Sequence, residues 1–375
     1  MSLLISLQEG ELISMKVVLV MITGAYQLLQ AIWFYTQHPD CEYIALVKLA
    51  DTSEHVGQSL IKYCSNSGIF KDIIITKNDV YEFALKEKML FGLKMFMYFI
   101  TGRRNKLIHQ LIQEQVGTLA FDTVLADSEI SILGGAFINC GKEKRVYILQ
   151  EGLYDVEDRR DLPGLNLSNL IGYAIAKMGY TNPSMIYKLK ATSDCSKLMS
   201  HPELATYRNF KEIIKLFSMN QAQESLFKKI VINTFGQLPL KSIEESDVIF
   251  FSAPFHSFTN DDSYYESLHN WLKEKMPTQK ILIKKHPRDK HLYDWDDLNI
   301  SITDDAIPAE IILPFCTEMK QVYMFISTCI LDILEKEVDY TVLRFDTIKS
   351  TRYHDLFMEL QTKLAISDNH VCILH

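Results

Sequence analysis

Along most of this chain, short apolar runs of strand length alternate with amphipathic segments of helix length. In "KVVLVMITGAYQLLQAIWFYTQ" the unbroken run Val17 to Ile22 ends in Thr23-Gly24, after which apolar positions recur at helical spacing from Ala25. The same grammar repeats: "CEYIALVKL" is followed by "SEHVGQSLIKYCSNSG", "KDIIITK" precedes a long helical region, and "FDTVLAD" and "KRVYILQEG" are further strands. Strands without internal alternation must be buried on both faces. Their alternation with helices therefore predicts parallel sheets covered on both sides.

From about Asn182 to Glu245 the strand rhythm weakens and helical segments dominate. A second set then begins with "SDVIFFSAPFH", the helix "DSYYESLHNWLKEKM", the strand "KILIKKHP", a strand running into a helix in "QVYMFISTCILDILEK", and the strand "DYTVLRFD". Two α/β halves of similar grammar predict twin Rossmann-like domains facing a cleft. The expected divisions are an extension over 1–14 ahead of a natural start at Met15-Lys16, an N-terminal domain over 15–190, a helical connecting region over 191–245, a C-terminal domain over 246–350, and a helical tail packing back over 351–375.

At 375 residues the chain is long enough for two cores of ordinary size. A net charge of −8 and a pI near 5.8 argue against a broad electrostatic surface for nucleic acid, so an anionic ligand should meet a local basic site. Seven cysteines occur singly with no C-x-x-C pair, which suits a reducing, cytoplasmic setting and gives no zinc-ligand spacing. Residues 1–14 lack a basic n-region, and Thr23, Gly24, Gln27 and Gln30 interrupt the most apolar stretch, so neither a signal peptide nor a spanning helix is expected. No G-x-G-x-x-G and no G-x-x-x-x-G-K-[ST] supports a dinucleotide or P-loop reading.

In open parallel sheets ligands bind at the carboxyl ends of strands, so the residues just after each strand are candidates for chemistry. After "VYIL" come Gln150, Glu151 and Gly152, where the glycine permits a sharp turn. After "KILIKK" comes His286-Pro287. After "VYMFI" come Ser327 and Thr328, two hydroxyls at a helix start, where amides and the helix dipole favour a phosphate. Each signal has an ordinary alternative: a solvated turn for Glu151, a cap for Ser327-Thr328, a structural role for His286. His-Pro also occurs at His38 and His201. Position after a strand is expected to single out His286.

Carboxylate-glycine, His-Pro and Ser-Ser/Thr in this order resemble the three short motifs of bacterial GT-B-fold sialyltransferases of capsule or lipooligosaccharide type, with polysialyltransferases as relatives. The resemblance extends to "DAIPAEIIL", whose Glu310 stands where related enzymes hold the nucleotide, and to "TGAYQLLQAI", which looks like their first βα turn. One departure is Gln150, which replaces the first acidic residue of the first motif and leaves Glu151 as the base. The resemblance implies a GT-B fold and an inverting, metal-independent transfer of sialic acid from CMP-sialic acid to an oligosaccharide or lipid-linked glycan. Glu151 would be the base and His286 the donor-side catalyst. Lys285, Pro287, Arg288, Glu310, Ser327, Thr328 and Ser252 would surround the nucleotide, with Lys284 adding positive potential. Thr23, Gly24, Gln27 and Gly152 would form turns or the acceptor side. No cofactor is implied.

The acid pairs Asp261-Asp262, Asp296-Asp297 and Asp304-Asp305, and the D-x-D of Asp294-Trp295-Asp296, read better as solvated loop charge than as a metal site. The aromatic and basic stretch 90–106, with Lys94, Arg103, Arg104 and Lys106, is a candidate for peripheral membrane contact, against the stronger reading of a buried helix with a basic exit. Two rivals remain. One is a CDP-glycerol glycerophosphotransferase, whose Asp-Tyr-Ser-Ser pattern is not evident in "FISTCILDIL"; the other is a non-catalytic GT-B scaffold of capsule assembly.

Overall fold

The structure is a computed structural model. It describes residues 17–49, 54–76, 109, 112–127, 134, 137–138, 144–150, 194–205, 210–236, 240–253, 263–286, 289, 291–303, 307–312, 321–325, 339–345, 357–359 and 361–374.

The first sheet contains β1 (Val17–Ile22), β2 (Glu42–Val47), β3 (Phe70–Ile75), β4 (Thr123–Ala126), β5 (Arg145–Ile148), β6 (Ser196–Met199) and β7 (Glu212–Lys215) in the order β3-β2-β1-β4-β5-β6-β7. All its pairings are parallel. Side chains alternate across it: Val18, Val20 and Ile22 of β1 join one apolar cluster, and Leu19 and Met21 the opposite one. Burial on both faces explains why β1 reads as a continuous apolar run. Helices α1 (Ala25–Gln37) and α2 (Glu54–Ser67) follow β1 and β2 and cover the first face together with α3 (Gln221–Phe235). A capping box starts α3, with Asn220 Oδ1 accepting from the Gln223 amide and Gln223 Oε1 from the Asn220 amide. Gly236, at φ 75°, ends it in a left-handed conformation that glycine adopts without a Cβ penalty.

The second sheet contains β8 (Val248–Phe251), β9 (Ile281–Lys284), β10 (Ile300–Thr303), β11 (Gln321–Met324), β12 (Tyr340–Phe345) and β13 (Val371–Leu374) in the order β10-β9-β8-β11-β12-β13, again all parallel. Helix α4 (Leu240–Glu245) leads into β8, α5 (Ser263–Lys275) connects β8 to β9, and the one-turn α6 (Ala309–Ile312) follows β10. Val248, Phe250, Ile281 and Ile283 pack with Tyr264, Tyr265, Leu268 and Leu272 of α5. Ile249, Phe251 and Leu282 belong to a cluster that continues through Ile243 of α4 and Phe235 of α3 to α1 and α2.

Two Rossmann-like parallel sheets are therefore present, as expected, but the strand inventory is larger. Residues 191–245 were expected to be helical, and they carry β6 and β7 as well as α3 and α4. The run "SKLM" escapes a hydropathy reading because Lys197 interrupts it. Its side chain is buried all the same, and its ammonium donates to the Leu149 carbonyl at 3.0 Å. The tail over 351–375 holds helical turns at 357–359 and 361–363 and then β13, an edge strand too short to show a period.

Ile283 is fully buried in the second core, and Ile302 on the edge strand β10 is 46% exposed. Ile283→Ala is expected to cost about 2–5 kcal/mol, because it adds a cavity to lost burial, and Ile302→Ala about 0.5 kcal/mol. Urea midpoints of the two variants check the contrast.

Candidate active site

Strand order reverses between β1 and β4 in the first sheet and between β8 and β11 in the second. At such a point the connections leave toward opposite faces and a crevice opens at the carboxyl edge. Of the residues expected at these edges, the structure describes Thr23, Gly24, Gln27, Ser252, Lys285, His286 and Glu310; Glu151, Gly152, Pro287, Arg288, Ser327 and Thr328 lie outside the described residues.

In the first sheet, Thr23 and Gly24 carry β1 into α1. A Cβ on Gly24 would stand 3.0 Å from Gln27 Oε1, so the glycine makes room for Gln27, which is largely buried. The next strand ends flanking the crevice hold a buried ion pair, Lys48 Nζ to Asp127 Oδ2 at 3.2 Å, with Lys48 following β2 and Asp127 following β4. Neither residue stands out in the sequence, since one charge beside a strand looks like solvated punctuation.

The end of β5, from which the expected base follows, is tied down by amides. Gln30 of α1, fully buried, donates from Nε2 to the Gln150 carbonyl at 2.9 Å and accepts from the Gln150 amide through Oε1 at 2.8 Å. This two-bond contact satisfies the strand end as a neighbouring strand would. The Gln150 side chain, also fully buried, accepts through Oε1 from the Ser200 amide at 2.7 Å and from the Tyr26 hydroxyl at 3.2 Å. Its Nε2, equally buried, has no hydrogen-bond partner among the described residues. Glu151 is thus the next residue after a fixed point.

The second sheet gathers its residues around Asp289. Ser252, directly after β8, accepts the His286 amide through Oγ at 2.9 Å and donates to Asp289 Oδ2 at 2.6 Å. The Asp289 amide donates back to the His286 carbonyl at 2.8 Å. Asp289 Oδ2 also accepts from the Tyr293 hydroxyl at 2.7 Å, while Oδ1 accepts from the Tyr265 hydroxyl at 2.9 Å and the His291 amide at 3.1 Å. His286, half-buried two residues beyond the end of β9, is therefore held by its own N–H and C=O. Burial and the neighbouring Asp289 push the Tyr293 hydroxyl well above the ordinary tyrosine range, so it stays a neutral donor. Ser252 is buried beneath the turn with its hydroxyl committed to this network. Lys284 is buried too, its ammonium donating to the Lys285 carbonyl, whereas Lys285 is half-buried. Glu310 is half-buried in α6.

Position after a strand does not separate the His-Pro pairs. His201 lies two residues beyond β6 as His286 lies two beyond β9. What differs is the setting: the buried His201 ring bonds through Nδ1 to Glu203 Oε1 at 2.9 Å, and although burial opposes it, a backbone hydrogen bond together with this contact holds the Glu203 carboxyl below its ordinary range. Around the D-x-D sequence, Asp297 is engaged by Lys273 at 2.6 Å and His269 at 2.7 Å, and these partners draw its carboxyl down to about 2. Among the described residues, no group of three His, Cys, Asp or Glu side chains converges to hold a metal ion. Among them, too, no helix is long and apolar enough to cross a membrane. The stretch 90–106 lies outside the described residues.

A family model, glycosyltransferase family 52, matches residues 68–347, three quarters of the chain, a segment that contains Gln150 and the whole Asp289 cluster. The chain belongs to glycosyltransferase family 52. No curated protein matches it in sequence. Among solved structures this family 52 member is similar to an α/β-galactoside α-2,3-sialyltransferase from the luminous marine bacterium Photobacterium phosphoreum, at 13% identity and a TM-score of 0.55, covering 96% of this chain and 99% of that one. Arabidopsis thaliana UGT89C1 complexed with UDP-L-rhamnose matches at 10% identity and a TM-score of 0.48 over 94% of this chain and 82% of that one. Acinetobacter baumannii MurG matches at 10% identity and a TM-score of 0.38, over 96% and 86%. The family 52 chain has the two-domain GT-B fold.

Gln30→Leu keeps the volume of the side chain and strands two buried backbone groups of Gln150. It is expected to lower stability by about 2–6 kcal/mol, at about 1–3 kcal/mol for each group. A loss under about 1 kcal/mol in urea unfolding would mean that the amide contact does not hold the end of β5.

Proposed function

We propose that this family 52 glycosyltransferase moves sialic acid from CMP-sialic acid, with inversion, to a terminal sugar of galactose type on a capsular or surface glycan. The observation that carries the reading is the placement of His286. It stands at the carboxyl end of β9, next to the β8–β11 reversal, with its backbone held on both sides. Family membership, the fold shared with a bacterial sialyltransferase, and the order of the three strand-end motifs support the same donor.

The chemistry follows from residue type. The acceptor hydroxyl attacks the anomeric carbon while the bond from that carbon to the CMP phosphate oxygen breaks, and the electron pair leaves with CMP. Glu151 takes the hydroxyl proton as the new bond forms. His286 donates to the departing phosphate oxygen, and Lys285 and Arg288 add positive potential. Ser327 and Thr328 bind phosphate oxygens through their hydroxyls, and Glu310 holds the nucleoside. A monophosphate leaving group needs only hydrogen bonds and nearby cations, so the reaction proceeds without a divalent metal. The protein works on the cytoplasmic side, where a lipid-linked acceptor would bring it to the membrane surface.

The test is release of CMP from CMP-sialic acid with and without a panel of galactosides. Turnover is expected to survive EDTA, and loss under chelation restored by magnesium or manganese would contradict the mechanism. Glu151→Gln is expected to lower transfer by about 100-fold to 10,000-fold, the usual effect of losing a positioned base. Its CMP affinity, measured by titration calorimetry, should stay near the parent value. Collapse of CMP binding with turnover per bound donor retained would place Glu151 on the wrong side of the reaction.

A further inference from the structure

Asp289 is 3% exposed, and no cation is paired with it among the described residues. Its carboxylate is satisfied by neutral donors drawn from three parts of the second domain: Ser252 from the end of β8, Tyr265 from α5, and His291 and Tyr293 from the segment after β9. Burying a carboxylate is costly without such donors, and an apolar residue would close the same turn with less desolvation. The network also holds Tyr293 at φ 53°, a left-handed backbone that an aromatic residue rarely adopts. The Tyr265 ring stacks on His291 at 3.9 Å, which braces the segment against α5.

The bonds of this hub converge on one residue. Ser252 Oγ holds the His286 amide and is itself oriented by Asp289, and the Asp289 amide holds the His286 carbonyl. With both backbone groups of His286 engaged, the direction in which its side chain leaves the strand end is set before any donor arrives. We propose that Asp289 is a positioning residue for donor-side chemistry, acting on His286 through Ser252 and through its own amide. The proposal rests on the reading of His286 as the residue that meets the leaving phosphate. Asp289 itself is buried and has no role in contacting substrate. Orientation of this kind raises turnover rather than ground-state affinity, because a small misplacement of a reacting group slows the chemical step.

A double-mutant cycle on CMP release separates positioning from a general structural effect. Asp289→Asn keeps the shape and one acceptor oxygen but turns a donor toward the surrounding hydroxyls. It is expected to lower kcat by roughly 10-fold to 100-fold with the donor KM within about threefold of the parent. Ser252→Ala removes the other arm of the network and is expected to act in the same direction, so the cycle can be run should Asp289→Asn fold poorly. In a His286→Ala background, either substitution should lower kcat by less than about threefold more, since there is no imidazole left to orient. The full loss repeated on top of His286→Ala would overturn the positioning role while leaving the donor-side reading intact. His286→Ala turning over like the parent would overturn the donor-side reading, and the proposal with it.

Discussion

Every strand pairing in the two sheets is parallel, and a parallel sheet sends all its strand ends to one edge. The reversals at β1–β4 and β8–β11 open that edge in each domain. Chemistry is thereby confined to the few residues that follow strands, and the described helices build layers that cover the sheets. The first residue past a strand can still donate to the neighbouring strand, as Lys48, Leu149 and Ser252 do to Ile22, Ala126 and Lys284, but residues further out lie beyond the last pairing. A site built there needs other partners for its N–H and C=O groups.

Both domains meet that need with buried side chains. In the first, Gln30 completes the end of β5 and Gln150 ties it to α1 and to Ser200. In the second, Ser252 and Asp289 hold the residue that follows Lys285. The means differ in a way that fits their surroundings. Two neutral amides meet backbone groups in the first domain, whereas in the second a carboxylate collects hydroxyl and amide donors. Each is sensitive to small changes, because a buried polar group that loses its partner costs about 1–3 kcal/mol.

Much of the architecture was legible in the sequence. Continuous apolar runs such as Val17 to Ile22 and Ile281 to Ile283 mark strands buried on both faces, and glycine after β1 marks the turn into α1. The order of Glu151-Gly152, His286-Pro287 and Ser327-Thr328 was enough to suggest the family. What could not be read has physical causes. Strand β6 hides behind Lys197, whose aliphatic stem is buried while its ammonium reaches a carbonyl. Asp289 lies in "HPRDKHLYDWDD", which looks like a solvated loop, and its partners come from 37, 24 and four positions away in the chain. Gln30 and Gln150 are 120 residues apart. Three His-Pro pairs looked separable by position, and the structure places two of them two residues past a strand, so surroundings rather than spacing distinguish them.

The central claim is that a CMP-linked donor binds at the carboxyl edge of the second sheet, over the turn that Ser252 and Asp289 hold. Amide hydrogen exchange followed by mass spectrometry, with and without saturating CMP, tests this directly. The account predicts slowed exchange in peptides covering 249–253 and 281–293, with peptides covering 17–24 and 145–150 unchanged. Protection confined to the first sheet, or no protection at a CMP concentration that saturates binding by calorimetry, would contradict it.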